Sequence, residues 1–101
     1  MRIRDGGGIL IALVIVGCAA SPPIEQLASS ERAIEAALAE GADALAPREL
    51  QLARGKLDLS RRWVAAGDHE PAQWLAEQAQ IDAELARLKS AAAKTGYAAG
   101  R

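Results

Sequence analysis

Beyond residue 23 this sequence predicts an all-α fold, an antiparallel helical hairpin extended into a three-helix bundle. Three observations carry that prediction. Apolar residues recur at intervals of three, four and seven, the spacing of one helix face. Pro22-Pro23, Pro47 and Gly67 cut the chain into pieces of helix length. Residues that favour strands are scarce: Phe is absent and few β-branched residues follow position 23.

The first helix is predicted over Ile24 to Leu45, after a Pro22-Pro23 pair that keeps helix from starting earlier. Ile34, Leu38, Ala42 and Leu45 mark its apolar stripe. Ser29 or Ser30 would cap a shorter version, although Arg32, three residues after Ser29, is not the acidic partner of a capping box. Gly41 interrupts the pattern near its end. The second helix starts at Pro47, whose missing N–H is no loss in a first turn. Glu49 near its start and Arg61-Arg62 near its end suit the macrodipole. Leu50, Ala53, Leu57 and Val64 form its stripe, with Leu52, Leu59 and Trp63 widening the apolar face. Gly67 suits a left-handed C-terminal cap, and Asp68 an N-cap for the next helix. The third helix runs from His69 or Pro71 to Ala93. Its stripe is read as Trp74, Ile81, Leu85 and Leu88, with Ala72, Ala76, Ala79 and Ala83 beside it. Residues 95–101 form a tail that frays.

The front of the chain has a different character. Arg2 and Arg4 precede the apolar run Ile9 to Val16, which is short for a membrane span and ends at a small residue and the only cysteine. The stretch Ile15-Val16-Gly17-Cys18 resembles the lipobox of bacterial lipoprotein precursors, with Ile15 standing where leucine is commoner. The resemblance implies that residues 1–17 are a signal peptide cut after Gly17. The Cys18 thiol then takes a diacylglycerol and its new amino group is acylated. Residues 18–23 become a tether, spanning about 15–20 Å when extended. Lipid chains would hold the protein firmly, since each buried CH₂ contributes about 0.8 kcal/mol. Ala19, not Asp, follows the cysteine, and by resemblance to Gram-negative sorting this implies the periplasmic face of the outer membrane.

Removing 17 of the 101 residues leaves 84, with ten basic and twelve acidic side chains and a net charge of −2. That balance is too weak to point to nucleic acid as a partner. One cysteine excludes an intrachain disulfide and a cysteine metal cluster.

The segment Ala46-Pro47-Arg48-Glu49-Leu50, then Ala53, Leu57, Gly67, Ala72, Leu75, Ala76, Ala79 and Ala83, resembles an alanine-rich domain of unknown function. That domain occurs in Gram-negative envelope lipoproteins, alone or ahead of an OmpA-like domain. The resemblance covers residues 23–94. It brings no catalytic residues, and peptidoglycan binding is not carried over. Gly67-Asp68 through Ala79 is also similar to the turn and second helix of a tetratricopeptide repeat. About three such repeats are needed for an array, and one is present.

Few side chains suggest chemistry. His69 is the only histidine, set between Asp68 and Glu70 in a turn with neither a third ligand nor a nucleophile at useful spacing. The expectation is a non-enzymatic protein without cofactor or metal. Trp63 and Trp74 lie near Gly67 on successive helices, at nearly equal height in the hairpin. They are expected to plug a thin alanine core, the alternative being a binding hot spot. Charge is divided by helix: the first is acidic, the second carries Arg48, Arg54, Lys56, Arg61 and Arg62, and the third begins acidic. This predicts ion pairing within the chain, with Arg54, Arg61 and Arg62 as the alternative contact to an envelope polymer such as peptidoglycan. Alanine favours helix but buries little area. A domain of this size with such a core is therefore expected to self-associate or to pack on another envelope protein. The function expected is that of a small lipid-anchored structural or interaction adaptor.

Overall fold

The computed structural model describes residues 22–96, and every described element is helical. α1 spans Ile24–Ala39, α2 Ala42–Leu45, α3 Pro47–Ala65 and α4 His69–Lys94. The all-α prediction holds, as does the hairpin of two long helices joined by a tight turn. The signal peptide, the tether from Cys18 to Ser21 and the tail beyond Gly96 lie outside the described residues.

The first helix is shorter than predicted. It begins at Ile24, so neither Ser29 nor Ser30 caps it; Ser30 is buried and donates to the Leu27 carbonyl at 2.9 Å. It stops at Ala39 because Gly41 takes a left-handed φ of 93°, with its N–H bonded to the Leu38 carbonyl at 2.9 Å. That conformation costs an L-residue roughly 1–2 kcal/mol, which explains why a glycine stands at the break. One turn of helix, α2, follows. It ends at Ala46, the buried residue before Pro47, whose φ of −148° and ψ of 56° lie outside the helical region that a following proline disfavours.

α3 carries Pro47 in its first turn, as expected. Its C-terminus is a Schellman cap. Gly67 sits at φ 82° and its N–H bonds to the Val64 carbonyl at 2.9 Å, while the Asp68 N–H reaches back to the Trp63 carbonyl at 2.9 Å. Asp68 occupies the N-cap of α4 with extended backbone, but its carboxylate makes no capping hydrogen bond. At 26 residues α4 is about 39 Å long. It packs along both α3 and α1, which touch each other less.

The core corrects the sequence reading of α4. Its buried residues are Ala72, Leu75, Ala76, Ala79, Ala83, Ala86 and Ser90. Trp74 and Ile81, expected to face inward, are 59% and 58% exposed, and Leu85 and Leu88 are also outside. On α3, Leu50, Ala53, Leu57 and Ser60 are buried, whereas Leu52, Leu59 and Trp63 are exposed rather than widening the core. Leu45 is exposed too, while Ile34 and Ala42 of the predicted α1 stripe are buried. The physical reason is the approach of the helices. The Ser60 hydroxyl donates across to the Ala72 carbonyl at 2.6 Å, a contact that requires the two backbones to lie close together. Methyl groups allow that approach and gain dense backbone contacts in exchange for side-chain area. Leucine or tryptophan in those positions would force α3 and α4 apart.

Candidate interaction surface

The register of the α3–α4 hairpin is set by three contacts. Ser60 meets Ala72, Lys56 Nζ lies 2.8 Å from Asp82 Oδ2, and Lys89 Nζ lies 2.6 Å from Glu49 Oε2. By this register Trp63 is level with Trp74, Leu59 with Gln78 and Leu52 with Leu85. The equal height expected of the tryptophans is therefore present. The core plug is not: both side chains are exposed, Trp63 by 37%.

Two stripes of large apolar residues run along the outside of the hairpin. On α4 the sequence of positions is Trp74, Gln78, Ile81, Leu85, Leu88 and Ala92, alternating by four and three as in a coiled-coil seam. On α3 it is Leu52, Lys56, Leu59 and Trp63, with the same alternation. The Lys56–Asp82 bridge joins the stripes, since Lys56 belongs to the α3 stripe and Asp82 neighbours the α4 stripe. Both stripes thus flank the seam between α3 and α4. The Glu49–Lys89 pair continues along that seam. Asp82 Oδ2 is shielded from solvent, and the approach of the ammonium is an ion pair without hydrogen-bond angles. Glu49 is held below the usual glutamate pKa, first by the Lys89 hydrogen bond, then by a backbone N–H and the charges of Lys89 and Arg48.

α1 lies on the other side of the hairpin. Arg61 pairs with Glu31 of α1, and Lys94 with Glu40 at 3.1 Å. Arg54 and Arg61 line a shallow cavity of about 330 Å³ together with Glu31, Ile34, Glu35 and Leu57. Arg62 is elsewhere and bonds Asp58 one turn earlier at 3.0 Å. The structure does not gather Arg54, Arg61 and Arg62 into one cationic site. Two of them face glutamates of α1, the intramolecular complementarity that the charge pattern predicts. Among the described residues, no three His, Cys, Asp or Glu side chains are grouped to hold a metal ion, and no helix is long and apolar enough to cross a membrane. Gly17 and Cys18, the expected processing and lipidation residues, lie outside the described residues.

Residues 25–99 match the family described as Domain of unknown function (DUF4398). The chain belongs to this family. The match takes in nearly all of α1 and the whole of the hairpin, so the two exposed stripes are part of the family's domain. Neither curated proteins nor solved structures gave a match to the chain.

The seam pairs Lys56–Asp82 and Glu49–Lys89 were missed from sequence, and so was the outward direction of both stripes. A signal for the second was present. α4 carries two stripes, one of small residues from Ala72 to Ser90 and one of large residues opposite. Only one can face α1 and α3. The small one has six buried members, joined by Leu75, without a charged residue among them, and its length marks it as the inner face.

Proposed function

We propose that this protein is a small lipid-anchored envelope adaptor, non-catalytic, which binds protein through the outer face of its α3–α4 hairpin. The observation that carries the reading is the pair of exposed apolar stripes along the α3–α4 seam. Two tryptophans and five aliphatic side chains, each roughly half exposed, leave several hundred Å² of apolar surface on one side. The largest apolar patch on a monomeric protein is typically about 300–600 Å², and patches of that size are often interaction sites. Paired tryptophans are also the residue type most enriched among binding hot spots.

The anchor belongs to the same reading and is supported by the lipobox resemblance of Ile15-Val16-Gly17-Cys18. Acylation at Cys18 would place the domain on the periplasmic face of the outer membrane. Antiparallel pairing of α1 with α3, marked by Glu31–Arg61, sets the start of α1 beside the Gly67 turn. The tether would then leave from the end that carries Trp63 and Trp74, with the stripes running away from the membrane. Peptidoglycan or another polymer is the weaker partner, because Arg61 is engaged by Glu31 and the three arginines are not gathered into one cationic site.

Two measurements test the reading. Labelled palmitate is expected to enter the full chain and not a Cys18→Ser variant; equal labelling of both removes the anchor. A photo-crosslinking residue in place of Ile81 is expected to capture protein in intact cells, and one in place of exposed Glu35 far less. Equal yields at the two sites would remove the adaptor role.

A further inference from the structure

We propose that the occupant of the hairpin's outer face is a second copy of this chain. The dimer has its two-fold axis parallel to the hairpin, so that α4 of one copy lies over α3 of the other. The inference rests on the face being an interaction surface, as proposed above, and names what covers it. Charge selects both the partner and the axis. The α3 edge of the face carries Arg48 and Arg62, with Asp58 bonded to the still largely exposed Arg62, and the α4 edge carries Glu70, Glu77 and Glu84. The face is therefore net basic along one edge, acidic along the other and apolar between.

A rotation about an axis along the hairpin exchanges the edges while keeping heights. It sets each acidic edge over the partner's basic edge and Glu77 close to the height of the partner's Arg62. It also lays Lys56 over the partner's Asp82, and Lys89 over the partner's Glu49. Each seam pair then becomes a quartet of alternating sign. A rotation about an axis across the hairpin would instead set acid against acid along the α4 edges, where like charges repel. With the favoured axis, Trp74 meets the partner's Trp63 at one end and Leu85 the partner's Leu52 further along. The charged quartets fix the register between the copies, as a polar residue does at one seam position of a coiled coil. The several hundred Å² of exposed apolar surface approaches the roughly 800 Å² per partner typical of stable interfaces. A lipid surface fits less well, since the glutamate row would face anionic headgroups.

The test uses the full chain, solubilised in detergent, with sedimentation equilibrium as the readout. Glu77→Arg and Arg62→Glu, made singly, are each expected to weaken self-association by about tenfold, because the dimer holds two copies of the contact. The double variant is expected to return to near the parent affinity. Glu77 and Arg62 stand on opposite edges of one hairpin, so rescue reports contact between copies. Far-UV dichroism of all three variants should match the parent, and a variant that loses helix is replaced by Glu84→Arg or Arg48→Glu. A parent chain that stays monomeric, a higher oligomer, or a double variant as weak as the singles overturns the dimer. The Ile81 photoprobe separates the two proposals. Capture of a different protein, or of lipid, overturns self-association; capture of a different protein leaves the adaptor reading standing, and absence of any protein adduct removes both.

Discussion

The two faces of α4 have opposite chemistry for their positions. The inner face is made of five alanines, one serine and a single large residue, Leu75, and the outer face of tryptophan, isoleucine and leucines. In most small helical domains the order is reversed. The inversion shows that hydrophobicity ranks residues by the area they can bury, whereas packing ranks them by how closely they let backbones approach. Where one helix is gripped by two others, closeness prevails inside and the large side chains are left for another surface.

Substitutions that exchange the two faces would sharpen this comparison. The largest effect is expected at Leu50, which is 1% exposed and the bulkiest fully buried side chain. Leu50→Ala should cost about 2–5 kcal/mol, read as a fall in the urea midpoint at unchanged slope. Next comes Ala79→Leu on the inner face of α4. Overpacking there should cost about 1–3 kcal/mol, and a neutral result would mean that the helices are not closely approached. On the outer face, Leu85→Ala removes as many atoms as Leu50→Ala. In dilute solution it should change stability by no more than about 0.5 kcal/mol, while reducing the dependence of melting temperature on protein concentration. A loss comparable with Leu50→Ala would break the comparison.

The smallest effect concerns pH. Glu49 is held below its ordinary value chiefly by Lys89. The stabilisation from a depressed carboxylate is present above the unfolded value, about 4.3, and is lost as pH falls through the folded value. Denaturant midpoints of the parent chain should therefore decline below that pH, and Glu49→Gln should flatten part of the decline. An identical acid limb in both proteins would show that the Lys89 contact is not maintained in solution.

What was legible in the sequence was local. Pro47 and Gly67 each act on their own backbone, so the start of α3 and its Schellman cap could be read without knowing the fold. Gly41 was seen as an interruption, but a glycine inside a helix pattern does not reveal whether the chain bends. The break rests on the left-handed φ that Gly41 takes before the single turn of α2. The facing of α4 was misread because the periodicity of Trp74, Ile81, Leu85 and Leu88 is as good as that of the alanines. Only the proximity of Ser60 to Ala72 decides between them. The charge division between helices was visible, yet its partners were not. Lys56 with Asp82 and Lys89 with Glu49 join residues far apart in sequence, and their pairing follows from the hairpin register alone.

A centre built of methyl groups has a calorimetric consequence. The heat-capacity increment of unfolding follows newly hydrated nonpolar area, and alanines hydrate little. The increment per residue should fall below the usual 12–15 cal/mol/K, roughly. The curve of stability against temperature would then be broad and low, with little loss on cooling, and endurance across seasons rather than great strength at any one temperature is what this interior provides.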